Sequence, residues 1–594
     1  TAAARSPGQC RLAAIAGVSM GINCSCVTEE LISIKAQALN VGDSFDNVQQ
    51  QDDEAIKELQ LVQMLPVLDL QQDDHEVKPP PSEDVPNVVS PKEWQRKDFF
   101  IKSTCSTASS ALCVVIENPG GFEAFYTVKE KLGAGQFGTV SSAMITANGA
   151  ERAVKVIEKK ENSTARHVDA LKAEIEIMKV LDHPNLVSIC EIFEDKASIF
   201  LAMKLCKGPH LTLYVDRVCS LSEKQAAYVM RDLLRAVSYM HNSNVCHRDL
   251  KGENCLMLTQ GPPERNRLKI CDFGLSAVFS RRPLRGKAGS ITHIAPEVLT
   301  SPEYTCACDY WSCGIIFYHL ICGFLPFLEE KDVLHGRLSF ADRHWCDVSE
   351  DCCRLVSGLV ERDVQKRITA HAALSHKWLH EQVKASIASK PEEFRSSSRT
   401  SMSSAPSCKE SSYPERVLRF RGFNKLKQAA LRVIANFLPE SENNAARDFF
   451  LALDLSCHGK VPWTTFCEAA GFEDADDTPK EDVGFTELIA ATFDRKRGLS
   501  EKMCKAAYQS FDKSGDQEVS LKDLEEGRLI GELSPKDLRR VMRDIGDNAG
   551  MVDFASFMKM LRVDKIRKTL VKSTPDSKSA VRGTESDSTQ AQSD

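Results

Sequence analysis

The spacing of apolar positions divides the chain into segments of different kind. Residues 1–124 read as a variable, largely irregular region, with the acidic stretch "QQQDDEAIKELQ" and the proline-rich "KPPPSEDVPNVVSP". From 125 to 379, short β-like runs such as "RAVKVI" are interleaved with helical patterns such as "ALKAEIEIMKVL". That length suits one α+β domain. Residues 380–415 contain "FRSSSRTSMSSAPSCKESSYP", which offers nothing to a core and reads as a flexible linker open to phosphorylation. A basic amphipathic helix is expected over 416–439, and all-α helix-loop-helix units over 440–565. The tail, 566–594, is Ser, Thr, Asp and Lys with little apolar content, and is expected to be disordered.

Composition narrows the class. A chain of 594 residues is long for a single core, and 42% hydrophobic with 27% charged residues is ordinary for a globular protein. The formal net charge of -7 argues against a general nucleic-acid binder. The apolar run "LAAIAGVSMGI" is too short to cross a bilayer, and the cleavage pattern expected after a signal-peptide core is poor. The 22 cysteines lack paired metal spacing and fit a reduced chain, so a cytoplasmic location is expected. One motif adds a membrane. In "MGINCSC", translation from Met20 would expose Gly21 with Ser25 at myristoylation spacing, and Cys24 and Cys26 beside it as palmitoylation candidates. The alternative is a chance Met-Gly pair beside idle cysteines.

A glycine-rich motif and five further signals then follow in order. "KLGAGQFGTV" sets Gly133, Gly135 and Gly138 in a G-x-G-x-x-G-x-V pattern between β-type residues, which alone also fits a dinucleotide site. Downstream come Lys155 in "RAVKVI", Glu174 on a helical run, "HRDLKGEN", "DFG" and "APE". Together the stretch resembles a protein-kinase catalytic domain. The resemblance implies a bilobal fold that binds ATP and Mg²⁺. Leu132, Gly133, Ala134, Gly135, Gln136, Gly138, Val140, Ala153 and Met203 would surround the nucleotide. Lys155, oriented by Glu174, would meet its phosphates. Asp249 would accept the proton of a substrate hydroxyl, Lys251 would neutralise the transferred phosphoryl group, and Asn254 and Asp272 would hold Mg²⁺. Asp309 would hold the catalytic-loop backbone, and Arg367 would pair with Glu297. Lys251 points to serine or threonine as acceptor, with tyrosine the minor alternative; a pseudokinase scaffold is the alternative of another class.

Departures from that pattern carry information. Lys204 follows Met203 where an acid is usual, and His210 replaces an acid that often meets ribose or a substrate arginine, leaving Glu253 for that task. Arg248 wants an anionic partner, yet residues 276–294 contain no acid, and Gly286 stands where relatives often carry one. A phosphorylated Ser280, Ser290 or Thr292 would supply it; otherwise the loop is held less firmly.

In "RVLRFRGFNKLKQAALRVIANFL" there are six basic residues and no acid, with Leu418, Phe423, Leu426, Ala430, Val433, Ile434 and Phe437 at helical spacing. A basic helix between a kinase and helix-loop-helix units resembles the autoinhibitory junction of calcium-dependent protein kinases, over about residues 125–563. Four loops can be tested against calcium chemistry, which wants Gly sixth and a bidentate Glu twelfth. Loop 454–465 has His458 fifth and Thr465 twelfth. Loop 476–487 puts Lys480 among the ligands and Glu481 sixth. Loop 512–523 keeps Asp512, Ser514, Asp516, Glu518, Ser520 and Asp523 but has Gln517 sixth, so weak calcium or Mg²⁺ binding is expected there. Loop 545–556 starts at Ile545 and ends at Ser556, and should be empty.

Overall fold

The computed structural model describes residues 115–562, except 120, 136–137, 160–164, 280–281, 389–411, 475–479, 528–538, 541, 544 and 546–550. All of these lie in the second of two compact units, Pro86–Asp594. Gly21, Cys24, Cys26, Gln136 and Ser280 fall outside the described residues.

Six strands form the first layer: β1 (Ile116–Pro119), β2 (Tyr126–Gly135), β3 (Gly138–Ile145), β4 (Glu151–Glu158), β5 (Ile189–Glu194) and β6 (Ser198–Lys204). Their order is β1-β5-β6-β4-β3-β2, antiparallel except that β1 pairs parallel to β5. Successive side chains in a strand point to opposite faces, and here both faces are covered. In β4, Ala153, Lys155 and Ile157 face one way; Arg152, Val154 and Val156 face the other. In β6, Ile199 and Leu201 join the core of the catalytic domain, whereas Phe200 and Ala202 join a second cluster that extends into the C-terminal helices. One sheet therefore separates the catalytic cleft from a docked regulatory domain.

Strand β1 corrects the expectation that residues before 125 are irregular. Ile116 is buried, and the register runs from Ile116 opposite Glu191 to Pro119 opposite Glu194. Four residues are too few to show a period of two, and the strand exists because β5 offers an unpaired edge.

Helix α1 (Ala165–Val180) packs beside the sheet, and the helical lobe is built on α2 (Glu223–Asn242) and α3 (Ala307–Cys322). A capping box between Ser222 and Gln225 starts α2. Helix α3 is buried on nearly every side, which explains why it shows no polar stripe.

The basic junction is two helices rather than one. Ser412 and Glu415 form a capping box that starts α4 (Tyr413–Arg421), ahead of the expected boundary. Asn424 then accepts from the Lys427 amide at 2.8 Å, an N-cap that starts α5 (Lys425–Phe437) anew after Gly422. Helices α6 (Asn444–Leu453), α7 (Phe485–Thr492), α8 (Glu501–Phe511) and α9 (Phe554–Arg562) follow. Their loops associate in pairs: Lys460–Val461 runs antiparallel to Val483–Gly484, and Val519 bridges Val552. That is the layout of paired EF-hands.

Candidate active site

The β2–β3 hairpin places Gly133 opposite Val140 and Gly135 opposite Gly138 at its tip, with Ala134 between them; Leu132, beside it, is about half exposed. Val140 pairs with Lys155, and Ala153 with Met203, so these four side chains share the cleft face. Lys155 Nζ lies 2.6 Å from Glu174 on α1 and 3.4 Å from Asp272. Burial works against the Lys155 charge, but the two carboxylates outweigh it and raise its pKa. The Asp272 side chain is 45% exposed, so it keeps acceptor capacity for a ligand.

Opposite, Asp249 gathers four donors. Its Oδ1 accepts from the Ser290 amide and hydroxyl, both at 2.9 Å; its Oδ2 accepts from Lys251 Nζ at 2.9 Å and from Asn254 Nδ2 at 3.2 Å. Asn254 Nδ2 also donates to the Asp249 carbonyl at 2.8 Å, so the amide oxygen is the atom Asn254 can offer to a cation. The residues named from sequence thus converge on one cleft. Ser290, a phosphorylation candidate by its sequence position, donates to Asp249 and accepts from Lys251, both at 2.9 Å. Its place ahead of APE was the only signal.

The loop's backbone is held from below. Asp309 accepts from the amides of His247 and Arg248 at 2.8 and 2.9 Å, and from His241 Nε2 at 2.8 Å. Burial opposes a charge on His241, but Asp309 outweighs it and raises its pKa to about 9. Arg248 (φ 67°) and Asp272 (φ 63°) adopt left-handed backbone that this scaffold must hold in place. Arg367 meets Glu297 through two bonds of 2.6 and 2.9 Å. His210 is the N-cap of the following helix, Leu211–Val218, its Nδ1 accepting from Leu213 at 3.2 Å. Burial lowers its pKa.

The opposite face explains Lys204. By alternation it faces away from the cleft, where its Nζ lies 3.6 Å from Glu440, just after the junction. Lys269, on the strand leading to Asp272, lies 3.4 Å from Glu440, and Arg447 lies 3.0 Å from it. Burial would raise the Glu440 carboxyl, but the three cations hold it well below the ordinary range. Asp182, two residues beyond α1, accepts from the Thr486 amide and hydroxyl at 3.0 and 2.7 Å and so caps α7. Arg152 donates to the Asn436 carbonyl at 2.8 Å, at the C-terminal end of α5. Sequence reading missed Glu440, Asp182 and Arg152, whose partners are remote in the chain. The basic junction thus pairs with the EF-hand helices and this outer face.

In the first three loops, oxygens of the described residues are used internally. In the first, Asp454 accepts from the amides of His458 and Gly459, and Asn242 donates to the Ser456 and Cys457 carbonyls at 2.9 Å each. A Cβ on Gly459 would stand 2.2 Å from the Tyr239 ring, so only glycine lets this loop press on α2. In the second, Lys480 turns out to Asp474, and Arg421 of α4 enters instead. Its guanidinium meets both oxygens of Glu487 at 2.8 and 2.9 Å, the Glu481 carbonyl at 2.8 Å and the Asp482 carbonyl at 3.1 Å. The Asp482 carbonyl and the Glu487 carboxylate are the seventh and twelfth loop positions, both calcium ligands in a working EF-hand. In the third, Gln517 takes φ 68°, the conformation that favours glycine. Asp523 accepts from the amides of Lys513, Ser514 and Ser520, and Lys513 bonds Asn118 on β1. Burial opposes the Asp523 charge, but the hydroxyl and amide of Ser520 and the amide of Ser514 outweigh it and hold the carboxyl low.

The sequence pattern of the protein kinase domain matches residues 126–379. Beyond it, the chain is 30% identical over 481 residues to calcium-dependent protein kinase 3 of Plasmodium berghei (strain Anka), covering 76% of this chain and 82% of that one. Identity to calcium-dependent protein kinase 11 of Oryza sativa subsp. japonica is 33% over 468 residues, covering 75% of this chain and 77% of that one. For calcium-dependent protein kinase 17 of Arabidopsis thaliana the values are 30% over 468 residues, covering 74% and 84%.

Proposed function

The chain belongs to the calcium-dependent protein kinase family, and from that premise we propose a kinase whose EF-hand domain is held on the catalytic domain by protein-supplied partners rather than by calcium. It is a serine/threonine protein kinase that uses ATP and magnesium, acts on protein substrates and is regulated by its C-terminal calmodulin-like domain.

In this reading the cleft works as follows. The hairpin of Leu132, Gly133, Ala134, Gly135 and Gly138 covers the nucleotide, while Val140, Ala153 and Met203 flank adenine. Lys155, fixed by Glu174, binds the phosphates. Asp249 orients the substrate hydroxyl and accepts its proton, and Lys251 neutralises charge on the phosphoryl group in transfer. The free oxygens of Asn254 and Asp272 suit Mg²⁺, which when bound neutralises phosphate charge. The pseudokinase alternative has no observation in its favour.

The observation that carries the regulatory reading is Arg421 bound to the seventh-position carbonyl and the twelfth-position carboxylate of the second loop. A guanidinium there supplies the positive charge that a calcium ion would bring. Clamping through Asp182 and Glu440 then supports the end of α1 and the segment between the lobes without metal. For the third loop the reading keeps only weak calcium or Mg²⁺ binding through Asp512, Ser514, Asp516, Glu518 and Asp523. A membrane-associated pool belongs to the proposal if translation begins at Met20; intact mass would reveal acyl groups on Gly21, Cys24 or Cys26.

The deciding experiment is peptide phosphorylation with Mg²⁺-ATP, in chelator and across a calcium titration, for the parent, Arg421→Gln and Asp512→Ala. Equal parental rates in chelator and calcium, with a lower rate for Arg421→Gln, are expected. Activation at micromolar calcium that Asp512→Ala abolishes would replace the reading with a switch at the third loop.

A further inference from the structure

Arg248, directly before the catalytic-loop aspartate, forms no ion pair with a carboxylate among the described residues. Its guanidinium donates to neutral oxygens: the Leu275 carbonyl at 2.6 Å, the Arg285 carbonyl at 3.4 Å and the Tyr304 hydroxyl at 3.4 Å. The Tyr304 hydroxyl donates onward to the Gly286 carbonyl at 2.9 Å. Arg285 and Tyr304 belong to a short ladder between β7 (Leu284–Arg285) and β8 (Glu303–Tyr304), where Leu284 pairs with Tyr304 and Arg285 with Glu303. An ion pair between Arg285 and Glu303 closes its open end.

We propose that Tyr304 is a positioning residue that holds the segment between DFG and APE in its working conformation, in place of a phosphate or an acidic side chain. A hydroxyl can accept from Arg248 and donate to a backbone carbonyl at the same time, which an ionised carboxylate cannot. The segment needs such an anchor because 276–294 contains no Asp or Glu. It also carries Ser290, whose bonds to Asp249 and Lys251 fix the catalytic carboxylate. A phosphate on Ser290 would bring negative charge against Asp249 rather than to Arg248. Burial raises the Tyr304 phenol above its ordinary value, so it stays protonated and able to donate. Gly286 takes φ 78° and has open space where a side chain would project. Aspartate tolerates that conformation better than most residues, so an acid can be put back where this chain lacks one.

The test compares the parent, Tyr304→Phe, Gly286→Asp and the double variant, all as full chains in chelator with Mg²⁺-ATP and a peptide. Tyr304→Phe keeps the ring in place and is expected to lower kcat about tenfold with little change in KM for ATP. The double variant is expected to recover most of that loss, because a carboxylate at 286 gives Arg248 its anion. Recovery at a second position is something that ring packing alone would not produce. Phosphatase treatment of the parent is expected to leave its rate unchanged. A parental rate for Tyr304→Phe, a stably folded double variant no faster than Tyr304→Phe, or loss of parental activity on phosphatase treatment would each overturn the proposal. Melting curves accompany every variant, and the phosphatase arm decides by itself if a variant is unstable.

Discussion

The catalytic cleft and the EF-hand loops are built from the same side chains, and they differ in what those side chains are left free to do. In the cleft, Asp272 is 45% exposed with one oxygen on Lys155, and Asn254 uses its nitrogen on Asp249 and keeps its oxygen. In the loops, Asp523 accepts three backbone amides, and both oxygens of Glu487 are taken by Arg421. An oxygen already satisfied by the protein gains little from a metal, because binding must first break those bonds. Carboxylates at ligand spacing are therefore a site only where the fold leaves their acceptors uncommitted.

Substitutions can break this contrast in order of effect. Asp249→Asn keeps the shape of the cleft and should lower kcat by roughly 10⁴-fold in a peptide assay, with the melting temperature little changed. Glu440→Ala should act the other way, on the docked face. It leaves Lys204, Lys269 and Arg447 buried without their anion and should cost about 3 to 5 kcal/mol in urea unfolding. A milder Glu440→Ala result would mean that water reaches the three cations.

The support under the cleft has a pH signature. His241 is raised from 6.5 to about 9 by Asp309. Its contribution is therefore complete below pH 6.5 and lost as pH rises to 9, a change of up to about 3 kcal/mol. Urea midpoints at both pH values should fall more for the parent than for His241→Gln. The smallest effect is expected at Asp523→Asn, about 1 kcal/mol in melting experiments, equal in chelator and in calcium. A larger loss in calcium would show that the third loop still depends on the ion.

Much of the cleft was legible because its chemistry is local in the chain. The glycine hairpin, "HRDLKGEN" and "DFG" each hold several groups within a few residues, and Lys155 and Glu174 lie on adjacent elements. The junction was legible as basic and amphipathic, yet its division at Asn424 was hidden, since an N-cap and a mid-helix asparagine look alike until the backbone turns. The bonds of Ser290 to Asp249 and Lys251 were not legible, since the partners of a loop serine are set only by the fold. Lys480 was read as a cation inside the second loop, whereas the structure turns it out to Asp474 and brings Arg421 in.

By itself, the sequence determined which residues face one another in the cleft motifs and where the calcium loops depart from ligand spacing. Alternation along β6 even required Lys204 to face away from the cleft. What it would meet there only the tertiary structure decided. Period and spacing report which side of an element a residue occupies, while the partner on that side comes from elsewhere in the chain. Glu440 for Lys204, Thr486 for Asp182 and Glu487 for Arg421 become neighbours only when the EF-hand domain packs against the sheet and the junction.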